Sequence, residues 1–186
     1  MKSEKGKLYV ISSPSGGGKS TVINEIMKIE PELTYSISAT TRPSRANEKD
    51  GKDYFFLSKK EFLKYIEQNK FIEWAQVHGY YYGTLRQQIE DKISQGKKVI
   101  LDIDVQGGLN IKNSFSDSVL IFLWLPSLKV LEERLRNRGT ENEELLKKRL
   151  LGAKEELKKA DYYDYIIIND KLDNTVKETL TIIKTK

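Results

Sequence analysis

The 186-residue sequence contains no cysteine and only one histidine. Disulfide bonds, thiolate zinc sites and cysteine nucleophiles are therefore excluded, and so are catalytic sites that need several imidazoles. The longest apolar run, "VLIFLWL" at 119–125, is too short to span a membrane, and the N-terminal run "LYVI" is too short for a signal peptide. We predict a cytoplasmic protein without a membrane partner, whose chemistry depends on other side chains.

The charge pattern limits the class of ligand. The formal net charge is +5 and the pI is near 9.1. The lysines are scattered among glutamates in stretches of helical period, which disfavours a nucleic-acid partner and is compatible with small phosphorylated ligands. A chain of this length is expected to form one domain over 1–186, with room for inserted lobes.

Apolar runs of strand length alternate with segments of helical period, which is typical of α/β proteins. Near-continuous apolar runs predict a parallel central sheet that is covered on both faces, with strands at 7–12, 98–104, 119–125 and 164–170. The flanking helices are predicted at 19–29, 84–95 and 172–183.

Two segments interrupt the alternation. Segment 36–83 is rich in tyrosine, arginine and turn residues, includes the helical pattern "KKEFLKYIEQN", and predicts an inserted lobe with short antiparallel strands. Segment 127–157 predicts two arginine-rich helices around a turn at Gly139. The remaining core is expected at about 1–35, 84–126 and 158–186.

The stretch "SPSGGGKS" at 13–20 matches the phosphate-binding pattern G-x-x-x-x-G-K-[ST] except at Ser13. Its three glycines remove Cβ atoms, so backbone N–H groups can converge on phosphate oxygens at a helix N-terminus. Lys19 is expected to bridge phosphates and Ser20 to bind Mg²⁺. A side chain at Ser13 costs about 1 kcal/mol if the turn requires a positive φ there. The alternative interpretation is a glycine-rich turn capped by Ser20.

A second sign of a nucleotide site is the strand "VILDID", which ends in Asp102 and Asp104. In open α/β sheets the ligand crevice lies at the carboxyl ends of the strands. Asp102 is therefore a candidate magnesium partner that acts through a bound water. An aspartate that closes a strand is often only a turn residue, but the neighbouring phosphate loop favours the functional interpretation.

The sequence resembles the guanylate kinase family in "SPSGGGKST", "TTRPSR", "GKDYFF", "FIEWA", "YYYGT", "ILDIDVQG", "ERLRNRGTE" and "IIIND". These motifs occur in the family's order and spacing over nearly the whole chain. The resemblance implies a P-loop nucleoside monophosphate kinase fold, with a GMP-binding lobe at 36–83 and a helical lid at 127–157. It implies transfer of the γ-phosphoryl group of ATP to GMP or dGMP with Mg²⁺, by a monomer or homodimer. Departures from the family occur at Ser13, Ser44, Asn47 and Thr84.

The resemblance also assigns the GMP site. Guanine presents two adjacent donors, N1–H and the 2-amino group, which one carboxylate accepts as a pair. Glu73 matches the family residue with this role, Asp104 is implied to accept from the amino group, and Ser38 and Thr84 match hydroxyls near O6. Arginines and tyrosines are implied to hold the phosphate. The implied GMP-binding residues are Ser38, Arg42, Arg45, Glu48, Tyr54, Glu73, Tyr82, Thr84, Asp102 and Asp104.

The implied ATP-binding residues are Ser13, Pro14, Ser15, Gly16, Gly17, Gly18, Lys19, Ser20, Thr21, Arg138, Asn169 and Asp170, the last three beside the adenine. The implied catalytic residues are Lys19, Arg42, Arg134, Arg138 and Arg149, and the implied Mg²⁺ ligands are Ser20 and Asp102. Phosphoryl transfer depends on positioning and charge neutralisation rather than on an acid or base of shifted pKa. His78 is therefore expected to be exposed and without a catalytic role, whereas Trp74 and Phe55 are expected in the core.

Two alternatives stay open at this point. One is a guanylate-kinase-like interaction module that binds phosphopeptides without catalysis, although such modules typically have degraded phosphate loops. The other is a P-loop kinase for a different nucleoside monophosphate, which conflicts with Glu73 and Ser38.

Overall fold

The computed structural model describes residues 6–77, 79–137 and 143–186. Its strands are β1 Lys7–Ser12, β2 Thr34–Tyr35, β3 Ala39–Thr40, β4 Phe55–Phe56, β5 Phe71–Val77, β6 Tyr80–Leu85, β7 Lys98–Asp102, β8 Val119–Trp124 and β9 Tyr165–Ile168. Its helices are α1 Lys19–Ile29, α2 Lys59–Glu67, α3 Arg86–Ser94, α4 Val105–Ser114, α5 Leu128–Asn137, α6 Glu143–Lys158 and α7 Leu172–Thr185. Across these described residues no helix has both the length and the apolar composition needed to cross a bilayer.

The predicted parallel sheet is confirmed. Its strand order is β2-β7-β1-β8-β9, and β1 pairs with β8 from Tyr9↔Val119 to Ser12↔Phe122. Every residue of β8 is buried, as expected of a strand covered on both faces. Because β1 and β8 are parallel, the segments that follow Ser12 and Trp124 leave the same edge of the sheet, where α/β proteins bind their ligands.

A second sheet lies within the predicted inserted segment, in the order β4-β3-β6-β5. It is mixed rather than purely antiparallel, because β3 and β4 run parallel while β6 is antiparallel to both β3 and β5. Its small core consists of Ala39, Phe62 and Phe71, and the last two rings stack with centroids 4.3 Å apart. Phe55 packs against this core as predicted. Helix α2 begins with a capping box between Ser58 and Glu61.

The chain divides into two compact units, which we describe separately. Of the described residues, the first comprises 6–8, 32–77, 79–101 and 110–118 and contains the second sheet with α2 and α3. The second comprises residues 9–31, 102–109, 119–137 and 143–186. In the second unit α5 and α6 share a buried cluster of Leu125, Leu131, Leu135, Leu146 and Ala153. The two helices predicted in segment 127–157 are therefore present, whereas Gly139 lies outside the described residues.

The structure adds to or differs from the sequence predictions at three points. Helix α3 begins at Arg86 rather than at residue 84, because Thr84 and Leu85 pair with β5 as the end of β6. Helix α4 was not predicted, since its two glycines lower helix propensity. Trp74 is 44% exposed rather than buried, and its ring lies at the margin of the small core, against the partly buried Tyr81.

Candidate active site

The phosphate loop, residues 13–18, joins β1 to α1. Gly16 and Gly18 have φ angles of 93° and 89°, which favour glycine, and the Gly17 N–H donates a 2.8 Å hydrogen bond to the Pro14 carbonyl. Gly18 is the N-cap of α1, which has no side-chain cap and no acidic residue in its first turn. No side chain of α1 therefore offsets the positive end of its dipole, so the helix start can receive an anion.

Ser13 fits the loop without backbone strain. Among the described residues, the non-glycine residue with a positive φ is Asn69, at 52°, so Ser13 does not adopt the conformation that would carry a cost. Ser13 is buried against Gly17, where an added Cβ would lie 2.8 Å from the serine Cβ. The departure from the family's first glycine thus leaves the loop intact.

The ammonium of Lys19 is held at the end of β7. Its Nζ atom lies 2.7 Å from Oδ1 of Asp102 and donates a 2.7 Å hydrogen bond to the Ile103 carbonyl. The Ser20 hydroxyl lies 3.5 Å from the other carboxylate oxygen of Asp102. The carboxylate of Asp102 therefore lies beside both Lys19 and Ser20, the two side chains predicted to bind phosphate and Mg²⁺.

Asp104 has a structural contact that the sequence did not indicate. Its Oδ1 atom accepts a 2.8 Å hydrogen bond from the Gly107 N–H in the first turn of α4. Its main-chain carbonyl accepts from the Ser12 hydroxyl at 3.3 Å. The side chain thus caps α4, which helps this glycine-containing helix to form.

The predicted site residues on α5 and α6 and after β9 differ in how deeply they are buried and in their contacts. Arg134 on α5 donates a 3.4 Å hydrogen bond to the Asn169 carbonyl, and an added Cβ at Gly18 would lie 3.3 Å from its guanidinium. Arg149 is half-buried on α6, and Asp170 is exposed after β9. Arg138 and His78 lie outside the described residues. Of the remaining loop positions, Pro14 is buried, and Ser15 and Thr21 are exposed.

In the first unit, a buried carboxylate lies on the second sheet. Glu73 and Thr84 are paired residues of β5 and β6, 7% and 0% exposed, and the Thr84 hydroxyl donates a 2.6 Å hydrogen bond to Oε1 of Glu73. Ser38 is half-buried and directly precedes β3, whose Ala39 pairs with Gly83, the residue before Thr84. The pairing of β5 and β6 thus brings together two of the side chains predicted to recognise the guanine base.

The same unit holds an arginine in a fixed orientation. Arg42 donates 2.8 Å and 2.7 Å hydrogen bonds to Glu48 and to the Pro43 carbonyl, and its guanidinium lies 5.4 Å from the ring centroid of Tyr54. Hydrogen bonding to Glu48 raises the pKa of Arg42, and the same contact lowers the pKa of Glu48. The ring of Tyr82 lies edge-on to that of Tyr54, with centroids 6.2 Å apart.

Glu48 also accepts a 2.8 Å hydrogen bond from the main-chain N–H of Arg45, whose side chain is exposed. The structure therefore places Glu48 against both arginines of the predicted GMP site. No sequence signal distinguished this glutamate as the residue that orients Arg42.

One titratable side chain near the loop was missed. Glu156 is half-buried on α6, and burial together with the charge of Asp104 raises its pKa to about 7, whereas Lys19 and Lys159 act in the opposite direction. In the sequence it is one of several glutamates in an amphipathic helix, so nothing distinguished it.

Comparison with known proteins gives one consistent answer. A family model described as guanylate kinase matches residues 5–186. The guanylate kinase of Thermotoga maritima is 47% identical over 182 residues, which cover 98% of this chain and 88% of the relative, and that of Oceanobacillus iheyensis is 45% identical over 186 residues, 100% and 90% respectively. The crystal structure of guanylate kinase from Anaplasma phagocytophilum superposes with a TM-score of 0.79 at 34% identity, covering 98% of this chain and 86% of that one.

Proposed function

The chain belongs to the guanylate kinase family, and we propose from this premise that it transfers the γ-phosphoryl group of ATP to GMP, giving ADP and GDP. The observation that carries the choice of guanine is the buried pair of Glu73 and Thr84. A carboxylate has about four lone-pair sites, so one carboxylate can accept from both N1–H and the 2-amino group of guanine. Adenine presents a lone pair at the N1 position and would leave the buried carboxylate facing an acceptor.

The GMP phosphate binds to Arg42, Arg45, Tyr54 and Tyr82. Support for this assignment is the fixed guanidinium of Arg42, which Glu48 and the rings of Tyr54 and Phe56 hold in one orientation. A planar, preoriented guanidinium suits the paired oxygens of a phosphate. Glu48 contributes to the GMP site by positioning this arginine.

ATP binds through its phosphates at the loop. Backbone N–H groups at the start of α1 and the ammonium of Lys19 neutralise the phosphate charge, and the arginines of the predicted lid, Arg134, Arg138 and Arg149, add to this. Since Lys19 already lies against Asp102, its side chain is preoriented beside the loop. The main chain of Asn169 and the exposed Asp170 lie at the strand end that we assign to the adenine side.

Mg²⁺ fits the donors beside the loop. Ser20 and Asp102 supply a hydroxyl and a carboxylate 3.5 Å apart, and Mg²⁺ prefers such oxygen ligands and retains several waters. When bound, Mg²⁺ neutralises the charge on the transferred phosphate. We further propose that residues 36–83 form a GMP-binding lobe and that residues 127–157 form a lid. We also propose that the protein is cytoplasmic and is a monomer or homodimer.

The reaction is tested by incubating the purified chain with ATP, GMP and MgCl₂ and separating the nucleotides by chromatography. We expect ADP and GDP to appear in equal amounts, and a chelator of divalent cations to stop both. ADP without GDP, or no product, would contradict the proposed function.

A further inference from the structure

The side-chain amide of Asn169 links the phosphate loop to the last helix. It is 5% exposed, and its Nδ2 atom donates a 2.7 Å hydrogen bond to the Gly17 carbonyl. On its other side, Oδ1 accepts a 3.1 Å hydrogen bond from the hydroxyl of Thr175 on α7, which is 1% exposed. A chain of two hydrogen bonds therefore runs from α7 to the loop.

The chemistry of the partners fixes the orientation of this amide. The Gly17 carbonyl can only accept, so the NH₂ group of Asn169 must face it, and Oδ1 must face Thr175. The Thr175 hydroxyl supplies the proton that Oδ1 needs, although it shares it with the Lys171 carbonyl, also 3.1 Å away. Thr175→Val would leave the buried Oδ1 atom of Asn169 without this donor, which costs free energy.

The orientation of the amide in turn fixes a peptide of the loop. In a trans peptide the carbonyl and the following N–H point in opposite directions, so holding the Gly17 carbonyl directs the Gly18 N–H away from Asn169. Gly18 has a φ of 89°, and an added Cβ there would lie 2.8 Å from Nδ2 of Asn169. The Gly17–Gly18 peptide is therefore held from the side opposite to its N–H.

We propose that Thr175 is a positioning residue of the phosphate loop: its hydroxyl orients the Asn169 amide, which holds the Gly17–Gly18 peptide with its N–H directed at the nucleotide phosphates. This inference rests on the proposed function and deepens it. Thr175 belongs to no motif, and its contact with Asn169 can be recognised only when α7 and the end of β9 are placed in the structure.

Helix α7 offers a matched control. Thr179 lies one turn further on, is fully buried, and donates a 2.7 Å hydrogen bond to the Thr175 carbonyl without contacting Asn169. Thr175→Val and Thr179→Val each replace one buried hydroxyl by a methyl group on the same helix, whereas Thr175→Ser retains the hydroxyl. Calorimetry with ADP and with GMP reports binding without turnover, and thermal unfolding reports the cost to the fold.

We expect Thr175→Val to weaken ADP binding about tenfold and to leave GMP binding within about twofold, because one buried hydrogen bond contributes on that scale. Thr175→Ser and Thr179→Val should both bind ADP within about twofold of the wild type, even though Thr179→Val lowers the Tm. In turnover, Thr175→Val should raise KM for ATP and not KM for GMP.

The inference is overturned if Thr175→Val binds ADP like the wild type, if Thr179→Val weakens ADP equally, or if Thr175→Ser fails to restore binding. Should Thr175→Val not fold, Thr175→Ala removes the same hydroxyl with a smaller side chain and is judged by the same criteria. A wild-type protein that binds no ADP overturns the proposed function itself, whereas equal binding by wild type and variants overturns only the role of Thr175.

Discussion

The ammonium of Lys19 lies 2.7 Å from the carboxylate of Asp102, and both side chains are less than one-fifth exposed. If this cation serves the phosphates, Lys19→Ala should lower kcat by a factor of about 10³ or more while the protein stays folded. Turnover of ATP and GMP and the far-UV circular dichroism spectrum measure the two effects.

Lys28→Ala is the matched control for this prediction. Lys28 is on the same helix, is 69% exposed and pairs only with Glu25 among the described ion pairs. Lys28→Ala should leave kcat unchanged. A fully active Lys19→Ala variant would contradict the assignment of residues 13–20 as the phosphate-binding loop.

Glu73→Gln should weaken GMP binding about 10- to 100-fold, because the amide places a donor where guanine also donates and removes a charge-assisted hydrogen bond. ATP binding should change little. Calorimetric titration with each nucleotide checks this, with Glu67→Gln at the exposed end of α2 as control. Equal weakening of both nucleotides would show that Glu73 stabilises the fold rather than recognising the base.

The stability of the protein should depend on the charge of Glu156. Its pKa in the folded state is about 7, raised from the ordinary value of 4.5. The folded protein therefore holds this proton more tightly than the unfolded chain, so this group lowers stability as the pH rises from about 4.5 to about 7.

Glu156→Gln should accordingly raise the free energy of unfolding at pH 8 by on the order of 1 kcal/mol, a value reduced for solvent screening because the side chain is partly exposed. Near pH 4.5 the variant and the wild type should coincide. Urea unfolding at the two pH values measures the difference, with Glu155→Gln on the exposed side of α6 as control. An equal difference in the free energy of unfolding at both pH values would refute a raised pKa for Glu156.

The sequence predicted the elements whose signal is local and missed the contacts that depend on packing. The strand β1 and the helix α1 have the predicted bounds, because apolar runs and the glycine loop define their ends. Helix α4 was missed because its two glycines lower helix propensity, and the reason for one of them is not local: Gly108 lies directly against the Tyr163 hydroxyl, where a Cβ would not fit.

The predicted site shows the same division. Family motifs singled out Glu73 and Thr84, and their hydrogen bond follows from the pairing of β5 and β6. Glu48 acts on Arg42 and Thr175 acts on Asn169, and in each case the two residues are 6 positions apart in the sequence. Such roles are set by side-chain geometry, which a residue pattern does not contain.

Ser13→Gly should lower the free energy of unfolding by about 0.5–1 kcal/mol, because Ser13 has no positive φ to relieve and glycine adds entropy to the unfolded chain. Asn69→Gly should be neutral or stabilising, since Asn69 has a φ of 52°. Urea unfolding of both variants tests the pair. A stabilising Ser13→Gly would indicate a strained loop.

The central claim is that a buried carboxylate selects guanine, and a coupled ADP-release assay with GMP, AMP, UMP and dTMP as acceptors tests it most directly. Because a buried acceptor left facing a lone pair discriminates by about 10⁴ to 10⁵, kcat/KM for GMP should exceed that for AMP by this factor. UMP and dTMP should be equally poor acceptors. A value for any of the three within about tenfold of GMP would contradict the account, since an unpaired buried group costs more than that.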